Sequence, residues 1–338
     1  MTAPDPIAAA LAALPRVPLL ALPTPLEPLE TLSRSLGRRV WVKRDDVGGP
    51  GLGGNKLRKL ELILAEATRS GIDTLITTGG AQSNHARLTA AVAARAGLRC
   101  ELFLKGDRPP ETTGNLMLGQ LFGARITHCG PVEHAEIAER MAARLREIAS
   151  EGGRAMVVPL GGAMPVGTLG YAAALRELLA QLPPEFADRG EIHLAGGTGS
   201  TAAGLALGAA LWAPWLRVVV TSASWRADVL GPEIRRHFDE AAGALGRPEL
   251  SPADVMVDDR QVGDGYTLPT PQGTAALRRL ARGDGLVLDL SYTAKAMAGL
   301  IARSDSDASV RATPVVFLHS GGTPELFTRA SEDFLSAP

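Results

Sequence analysis

The chain has 338 residues, 45% of them hydrophobic, 21% charged and 4% aromatic, which suffices for one large or two moderate domains with real cores. Its 35 Lys and Arg stand against 36 Asp and Glu, a net charge of −1, and this balance excludes an electrostatic footprint for nucleic acid or an anionic membrane surface. The 2 cysteines, Cys100 and Cys129, cannot build a disulfide framework and suit a reducing, cytoplasmic setting.

The first charged residue is Asp5 and the first basic one Arg16, an order without the positive start of a secretory leader. Residues up to about Pro25 read as an extended, proline-punctuated arm with one short helix. After Gly53 and Gly54, Asn55 is a good N-cap, and Leu57, Leu60, Leu64 and Ala67 recur at helical spacing, predicting an amphipathic helix. Lys56 then sits on the first turn, where the helix dipole disfavours a cation and so lowers the pKa of an amine nucleophile. A nucleotide P-loop is excluded, because Asn55 intervenes between Gly54 and Lys56 and Leu57 stands where Ser or Thr would hold magnesium. A solvated surface lysine is the plain alternative, and Lys59, one turn on, is the competing lysine.

A β-branched strand is predicted at 72–78, broken by Gly79-Gly80, then an alanine-rich helix to about Ala96 and a strand at 98–105, together a βαβ unit. The turn Gly79-Gly-Ala-Gln-Ser-Asn-His85, lined by Gln82, Ser83 and Asn84, makes a cup suited to a carboxylate. Ser83 lacks the Gly-x-Ser-x-Gly elbow of hydrolases, and His85 alone reads as a structural histidine. Helices are predicted at 115–122 and 133–150 and a strand at 155–160. His128, Cys129 and His134 form a metal-like cluster without a fourth ligand in reach, so no metal is expected.

The run 192–216 is uncharged over 25 residues, long enough to span a bilayer by count. Its Gly196, Gly197, Gly199, Gly204, Gly208 and Pro214 predict instead a strand at 191–195, a turn at 196–200, a buried helix at 201–211 and a strand at 216–221. Backbone N–H groups and the hydroxyls of Thr198, Ser200 and Thr201 converge at this turn as a phosphate cup; a tight turn that merely needs glycine is the alternative. The dinucleotide fingerprint, and with it a nicotinamide oxidoreductase, is disfavoured: no acidic residue stands at 218–225 to hold a ribose. Residues 248–271, rich in Asp, Gly and Pro, predict a long loop, followed by helices at 273–283 and 293–303 and a strand at 315–318. Strands alternating with helices predict an α/β architecture with parallel sheets.

One lysine, a phosphate cup, a carboxylate cup and no metal set describe a pyridoxal-phosphate enzyme. Pro23-Thr-Pro-Leu-Glu27, Val42-Lys-Arg-Asp-Asp46, Gly53 through Glu61, Gln82-Ser-Asn-His85, Gly197-Thr-Gly-Ser-Thr201, Gly265-Tyr266, Leu290-Ser-Tyr-Thr-Ala-Lys295 and His319-Ser-Gly-Gly322 occur in order along residues 16–330. In these motifs the chain resembles the 1-aminocyclopropane-1-carboxylate deaminase/D-cysteine desulfhydrase family. The resemblance implies fold type II of the pyridoxal-phosphate enzymes, with two open, twisted, mainly parallel sheets flanked by helices. It implies a larger cofactor domain (1–50 and 166–338), a smaller α/β domain inserted at 51–165, and a homodimer. It also implies that Lys56 bonds the cofactor and then shuttles protons. Asn84 would bond the ring hydroxyl, and Gly197, Thr198, Gly199, Ser200 and Thr201 would hold the phosphate. Ser83, Asn84 and the His85 backbone would receive the substrate carboxylate, with Ser83 also a candidate acid/base. Tyr292 would pack on the ring, Tyr266 would flank the substrate, and Ser320 would face it.

Departures from the family pattern select the reaction. Ring-opening deaminases place a glutamate after the ring-facing tyrosine to protonate the pyridine nitrogen; here Thr293 follows Tyr292, a weaker aid to a long-lived carbanion. Ser320 stands where deaminases carry leucine and desulfhydrases threonine. Both favour β-elimination from D-cysteine, giving pyruvate, ammonia and sulfide from a small amino-acid substrate. Gly161-Gly-Ala-Met164, Thr270 and Asp289-Leu-Ser-Tyr-Thr-Ala-Lys295 depart from the usual desulfhydrase wording, and L-cysteate sulfo-lyases share the Tyr-x-Ala-Lys run. The deaminase, the sulfo-lyase and a non-catalytic ligand-binding homologue are therefore the alternatives.

Overall fold

In the computed structural model, which describes residues 5–328, the chain enters through α1 (Pro6–Ala12), β1 (Leu26–Pro28), α2 (Glu30–Leu36) and β2 (Val40–Arg44). Next come α3 (Lys56–Arg69), β3 (Thr74–Gly80), α4 (Asn84–Arg95), β4 (Arg99–Lys105), α5 (Gly114–Leu121), β5 (Arg125–His128), α6 (His134–Ser150) and β6 (Ala155–Val158). They are followed by α7 (Pro165–Leu179), β7 (Gly190–Gly196), α8 (Ser200–Trp212), β8 (Leu216–Ser222), α9 (Ala227–Ala244) and β9 (Val255–Asp258). The described chain closes with α10 (Pro271–Asp284), α11 (Thr293–Ser306) and β10 (Val315–His319).

The strands form two sheets. One has the order β5-β4-β3-β6 and is parallel throughout. The other has the order β1-β2-β10-β7-β8-β9 and is parallel except where β1 meets β2. The six-stranded sheet thus draws on both sides of the segment that builds the four-stranded one. Its last strand sits inside it, with Phe317 opposite both Val42 and His193. Parallel sheets need helices on both faces, and β10 is accordingly buried along its whole length.

Helix contacts are set by glycine. A Cβ at Gly204 of α8 would lie 2.3 Å from the Thr168 carbonyl oxygen of α7, and one at Gly170 of α7 would lie 2.4 Å from the Arg58 carbonyl oxygen of α3. The expected apolar positions Leu57, Leu60, Leu64 and Ala67 are buried, but so are Arg58, Lys59 and Glu61, because protein surrounds the first turns of α3, while Glu66, Thr68 and Arg69 in its last turn are exposed. The amphipathic expectation for this helix is corrected in that respect.

Three further expectations change. Gly79 and Gly80 do not break the strand; they extend β3 and pair with Leu104 and Lys105. The loop expected at 248–271 contains β9, four residues that pair in parallel with the edge of β8 and are too short to announce themselves. Residues 125–128, where no element was expected, form β5 against β4. Among the described residues no helix is long and apolar enough to cross a membrane.

Candidate functional site

The functional residues gather at the carboxyl ends of β3, β7 and β10, where open parallel sheets leave a crevice for ligands. Gly321 and Gly322, just past β10, form the hub. A Cβ on Gly321 would lie 2.9 Å from the Gly54 Cα, and one on Gly322 would lie 2.5 Å from the Asp289 carboxyl carbon. Both have positive φ, 93° and 109°, so glycine is required twice over. The hub brings the start of α3 beside the start of α11.

Lys56 opens α3, half-buried and with no hydrogen bond or ion pair among the described residues. Burial brings its amine down to about 8. Asn55 does not cap the helix with its side chain, as the sequence suggested. Its backbone is already helical (φ −54°, ψ −24°), its N–H donates to the Ser320 carbonyl (3.0 Å), and its side-chain NH2 donates to Thr201 Oγ1 (3.2 Å). Lys59, read as a competitor, is a partner. It is fully buried, and its ammonium donates to Ser200 Oγ (2.5 Å) and to the Gly161 carbonyl (3.2 Å). Burial first, then the nearby Lys56, hold its pKa well below that of a free lysine.

The turn expected to cup a phosphate lies between β7 and α8. Gly199 takes the left-handed N-cap position (φ 86°), and a Cβ there would lie 2.8 Å from Ile234. The first turn of α8 offers unpaired N–H groups beside the hydroxyls of Ser200 and Thr201, each already approached by a donor from α3 or its cap. Thr198 packs on Gly161, and the Tyr292 ring lies over Gly197, 3.4 Å from where its Cβ would be.

The second cup is the amino end of α4. Ser83 is its N-cap, with the hydroxyl accepting from the Ala86 amide (3.2 Å), so the Asn84 and His85 amides remain to meet an anion. Asn84 Oδ1 accepts from Asn115 Nδ2 (3.0 Å) and Arg87 Nη2 (3.4 Å), which leaves its NH2 as the free donor. The Thr77 hydroxyl donates to the Val158 carbonyl (2.7 Å), so His85 Nε2 must donate to Thr77 (2.9 Å). Burial, followed by the Lys56 and Lys59 charges, keeps the His85 ring neutral.

At α11, Asp289 acts as the cap: its carboxylate accepts from the Tyr292 amide (2.8 Å), the Thr293 amide (2.9 Å) and the Thr293 hydroxyl (2.5 Å). The Thr293 hydroxyl also accepts from the Asp289 amide (2.8 Å), so its proton is spent within this turn. Tyr292 and Tyr266 share a hydrogen bond (2.8 Å) with ring centroids 5.7 Å apart, edge to face, and burial pushes Tyr266 up to about 12. The Tyr266 ring approaches Gly80 at the end of β3, 3.8 Å from where a Cβ would stand. Lys295 is fully buried and donates to the carbonyls of Ala223, Val262 and Gly265, stapling the Tyr266 loop to the helix that carries Tyr292. Ser320 is half-buried beside the Asn55 contact.

The site therefore gathers basic side chains and helix amino ends. Lys56, Lys59 and Arg87 lie in it with no ion pair among the described residues, and two helix amino ends point the same way. A buried ammonium against a helix amino end, with only a hydroxyl and a carbonyl for company, is balanced when an anion is present. The amino ends of α8 and α4 each offer free N–H groups to an anion. Among the described residues no group of histidine, cysteine and carboxylate side chains could hold a metal ion.

Sequence alone assigned no role in the site to Lys59, Arg87, Asn115, Asp289 or Lys295. Lys59 had a signal, one helical turn from Lys56 on nearly the same face, and Asp289 had the acidic-residue-before-a-helix pattern. Asn115 and Arg87 had none.

The model of the pyridoxal-phosphate dependent enzyme family matches residues 17–321. A D-cysteine desulfhydrase of Yersinia enterocolitica serotype O:8 / biotype 1B is 38% identical over 322 residues, covering 94% of this chain and 96% of that protein. One from Klebsiella pneumoniae (strain 342) is 39% identical over 321 residues, covering 93% and 95%. The crystal structure of an ACC deaminase homologue aligns with a TM-score of 0.90 at 33% identity, covering 98% of this chain and 99% of that one. Threonine deaminase isoform 2 from Solanum lycopersicum shares the fold, with a TM-score of 0.67 at 18% identity over 94% of this chain and 84% of its own.

Proposed function

The chain belongs to the pyridoxal-phosphate dependent enzymes, and on that premise we propose that it is a β-eliminating lyase converting D-cysteine to pyruvate, ammonia and hydrogen sulfide. The observation that carries this reading is Thr293: its hydroxyl proton is committed to Asp289, so the side chain after Tyr292 is not the acid that a ring-opening deaminase carries there. The full-length likeness to D-cysteine desulfhydrases supports it.

Lys56 would hold the cofactor, with Gly197, Thr198, Gly199, Ser200, Thr201 and Lys59 around its phosphate, the Asn84 NH2 on its ring hydroxyl, and Tyr292 against its ring. Bound there, pyridoxal phosphate supplies an aldehyde for the amino group and a conjugated ring that draws electrons from the substrate α-carbon. Ser83, Asn84 and the His85 amide bind and orient the substrate carboxylate, which fixes the α-proton relative to Lys56. The Lys56 amine, whose pKa burial brings down to about 8, takes and holds that proton at Nζ. In the tyrosine pair Tyr292 donates, which leaves the Tyr266 O–H to face the departing thiolate. Ser320 lines the same side.

The reading includes the two-domain division at residues 50 and 165, a cytoplasmic setting and a homodimer. The exposed apolar side chains of Leu52, Met117, Leu121 and Phe327, on elements that pack around α4 and α5, offer a surface a second copy would cover. Light scattering should therefore give twice the chain mass.

The purified protein should be yellow. Incubated separately with D-cysteine, L-cysteine, L-cysteate and 1-aminocyclopropane-1-carboxylate, it should release keto acid fastest from D-cysteine. Faster turnover of another of these overturns the substrate, and a colourless protein unchanged by added pyridoxal phosphate overturns the enzyme.

A further inference from the structure

Arg87 is the fourth residue of α4, and its side chain runs back toward the helix amino end. It is 1% exposed. Nη1 donates to the Gly51 carbonyl, while Nη2 donates to the Gly53 carbonyl (3.1 Å) and to Asn84 Oδ1 (3.4 Å). Nε is buried without a partner. Every acceptor is neutral, and no carboxylate pairs with the guanidinium among the described residues.

For stability alone this is a poor arrangement. A buried cation without a counter-charge is costly, a cation in the first turn opposes the helix dipole, and an unsatisfied buried N–H adds a further penalty. Burial lowers the Arg87 pKa to about 10, in keeping with that environment. What the arrangement does provide is a link between two loops. Gly51 and Gly53, both at positive φ (66° and 71°), belong to the segment that delivers Lys56. Asn84 belongs to the helix that opens the carboxylate cup. With Asn115 donating from the other side, the Asn84 carbonyl oxygen is held between two donors and its NH2 can point only the other way.

We propose that Arg87 is a positioning residue for the cofactor: held in place by the Gly51 and Gly53 carbonyls, it turns the Asn84 amide so that the NH2 meets the cofactor's ring hydroxyl. The proposal rests on the placement of the ring beside Asn84 and is independent of which amino acid is the substrate.

The test uses full-length apoprotein, with pyridoxal phosphate titrated by absorbance and apoprotein melting recorded alongside. Arg87→Met keeps the stem and removes the buried charge. It should weaken pyridoxal phosphate binding by about tenfold or more, while the apoprotein melts within a few degrees of wild type. Asn84→Ala should cost a similar factor, and the double variant should be no weaker than the worse single one, because both act through one contact. Unchanged affinity in Arg87→Met, or losses that multiply in the double variant, would overturn the proposal. So would a fall in melting temperature with cofactor affinity intact. If Arg87→Met does not fold, Arg87→Lys carries the same readout, since an ammonium cannot bridge all three acceptors. Failure of D-cysteine turnover leaves these outcomes untouched.

Discussion

Two lysines one turn apart, Lys56 and Lys59, illustrate how position divides labour between identical side chains. Lys59 is saturated by Ser200 and Gly161, whereas Lys56 has no bond to break before it reacts. With its pKa near 8, on the order of one Lys56 amine in ten is neutral at pH 7, against fewer than about one in a thousand for an ordinary lysine. Lowering a lysine pKa raises the neutral fraction at any given pH, so cofactor uptake by the apoprotein should quicken with pH and level off just above 8. Continued acceleration toward pH 10 would contradict the burial argument. Borohydride trapping with peptide mapping should label Lys56; label on Lys59 would reverse the assignment. Tyr292→Phe removes the hydroxyl bonded to Tyr266 but keeps the ring over Gly197. Turnover should fall by about tenfold or more, with melting shifted by a few degrees at most. An unaffected rate would remove Tyr292 from the active site.

At the scale of elements, α3 is held in place by the absence of side chains opposite it. A methyl at Gly170 would meet the Arg58 carbonyl at 2.4 Å, backbone that cannot yield without moving α3 and its two lysines. Gly170→Ala should destabilise by about 1–3 kcal/mol and weaken cofactor binding together. Gly243→Ala in α9 meets nothing within 4 Å and should be neutral or stabilising by about 0.5–1 kcal/mol. Equal melting curves for the two variants would show that the α3–α7 contact is slack. Helices with a glycine turn before them, α4 and α8, were legible from punctuation. By contrast α7 and α9 escaped: α7 is buried at most positions and shows little periodicity, whereas the helical spacing of Leu230, Ile234, Phe238 and Ala241 in α9 was a signal left unread.

Across the whole molecule, a buried ionic cluster ties the region after β2 to α3 and α7. Arg58 pairs with Asp45 (2.7 Å) and Glu177 (2.9 Å), Lys43 pairs with Glu177 (2.5 Å), and Tyr171 donates to Asp45 (2.6 Å). Tyr171 thereby closes this network. Burial alone would raise the Asp45 pKa, but the Arg58 charge and the bonds from Arg58 and Tyr171 outweigh it and hold the carboxyl below its usual value. Glu177 is lowered in the same way by Arg58 and Lys43 against its burial. A carboxyl depressed in the folded state contributes stability above its unfolded pKa of about 4 and loses it as pH falls through the folded value. Denaturant midpoints should therefore hold from neutral pH to about 5 and fall below about 4. Asp45→Asn should cost about 3 kcal/mol or more at pH 7, because it leaves Arg58 short of a buried counter-charge, and should flatten the acid limb. Matching midpoints for variant and wild type at pH 7 would dissolve the cluster's importance.

What lay in the sequence was local. Glycine turns after short β-branched runs, N-cap residues and a lysine at a helix start are decided within a few residues, so they named the alternating α/β fold and the two anion cups. The tertiary structure decided what depends on distant partners. Asn55 became a donor to Thr201, 146 positions away, rather than a cap; Lys59 was drawn to the start of α8; and Arg87 and Asn115 fixed the Asn84 amide. These assignments rest on which buried donor finds which acceptor once the sheets are packed. That pairing is obligatory because unpaired polar groups are costly in a dry interior, and no periodicity in the chain encodes it.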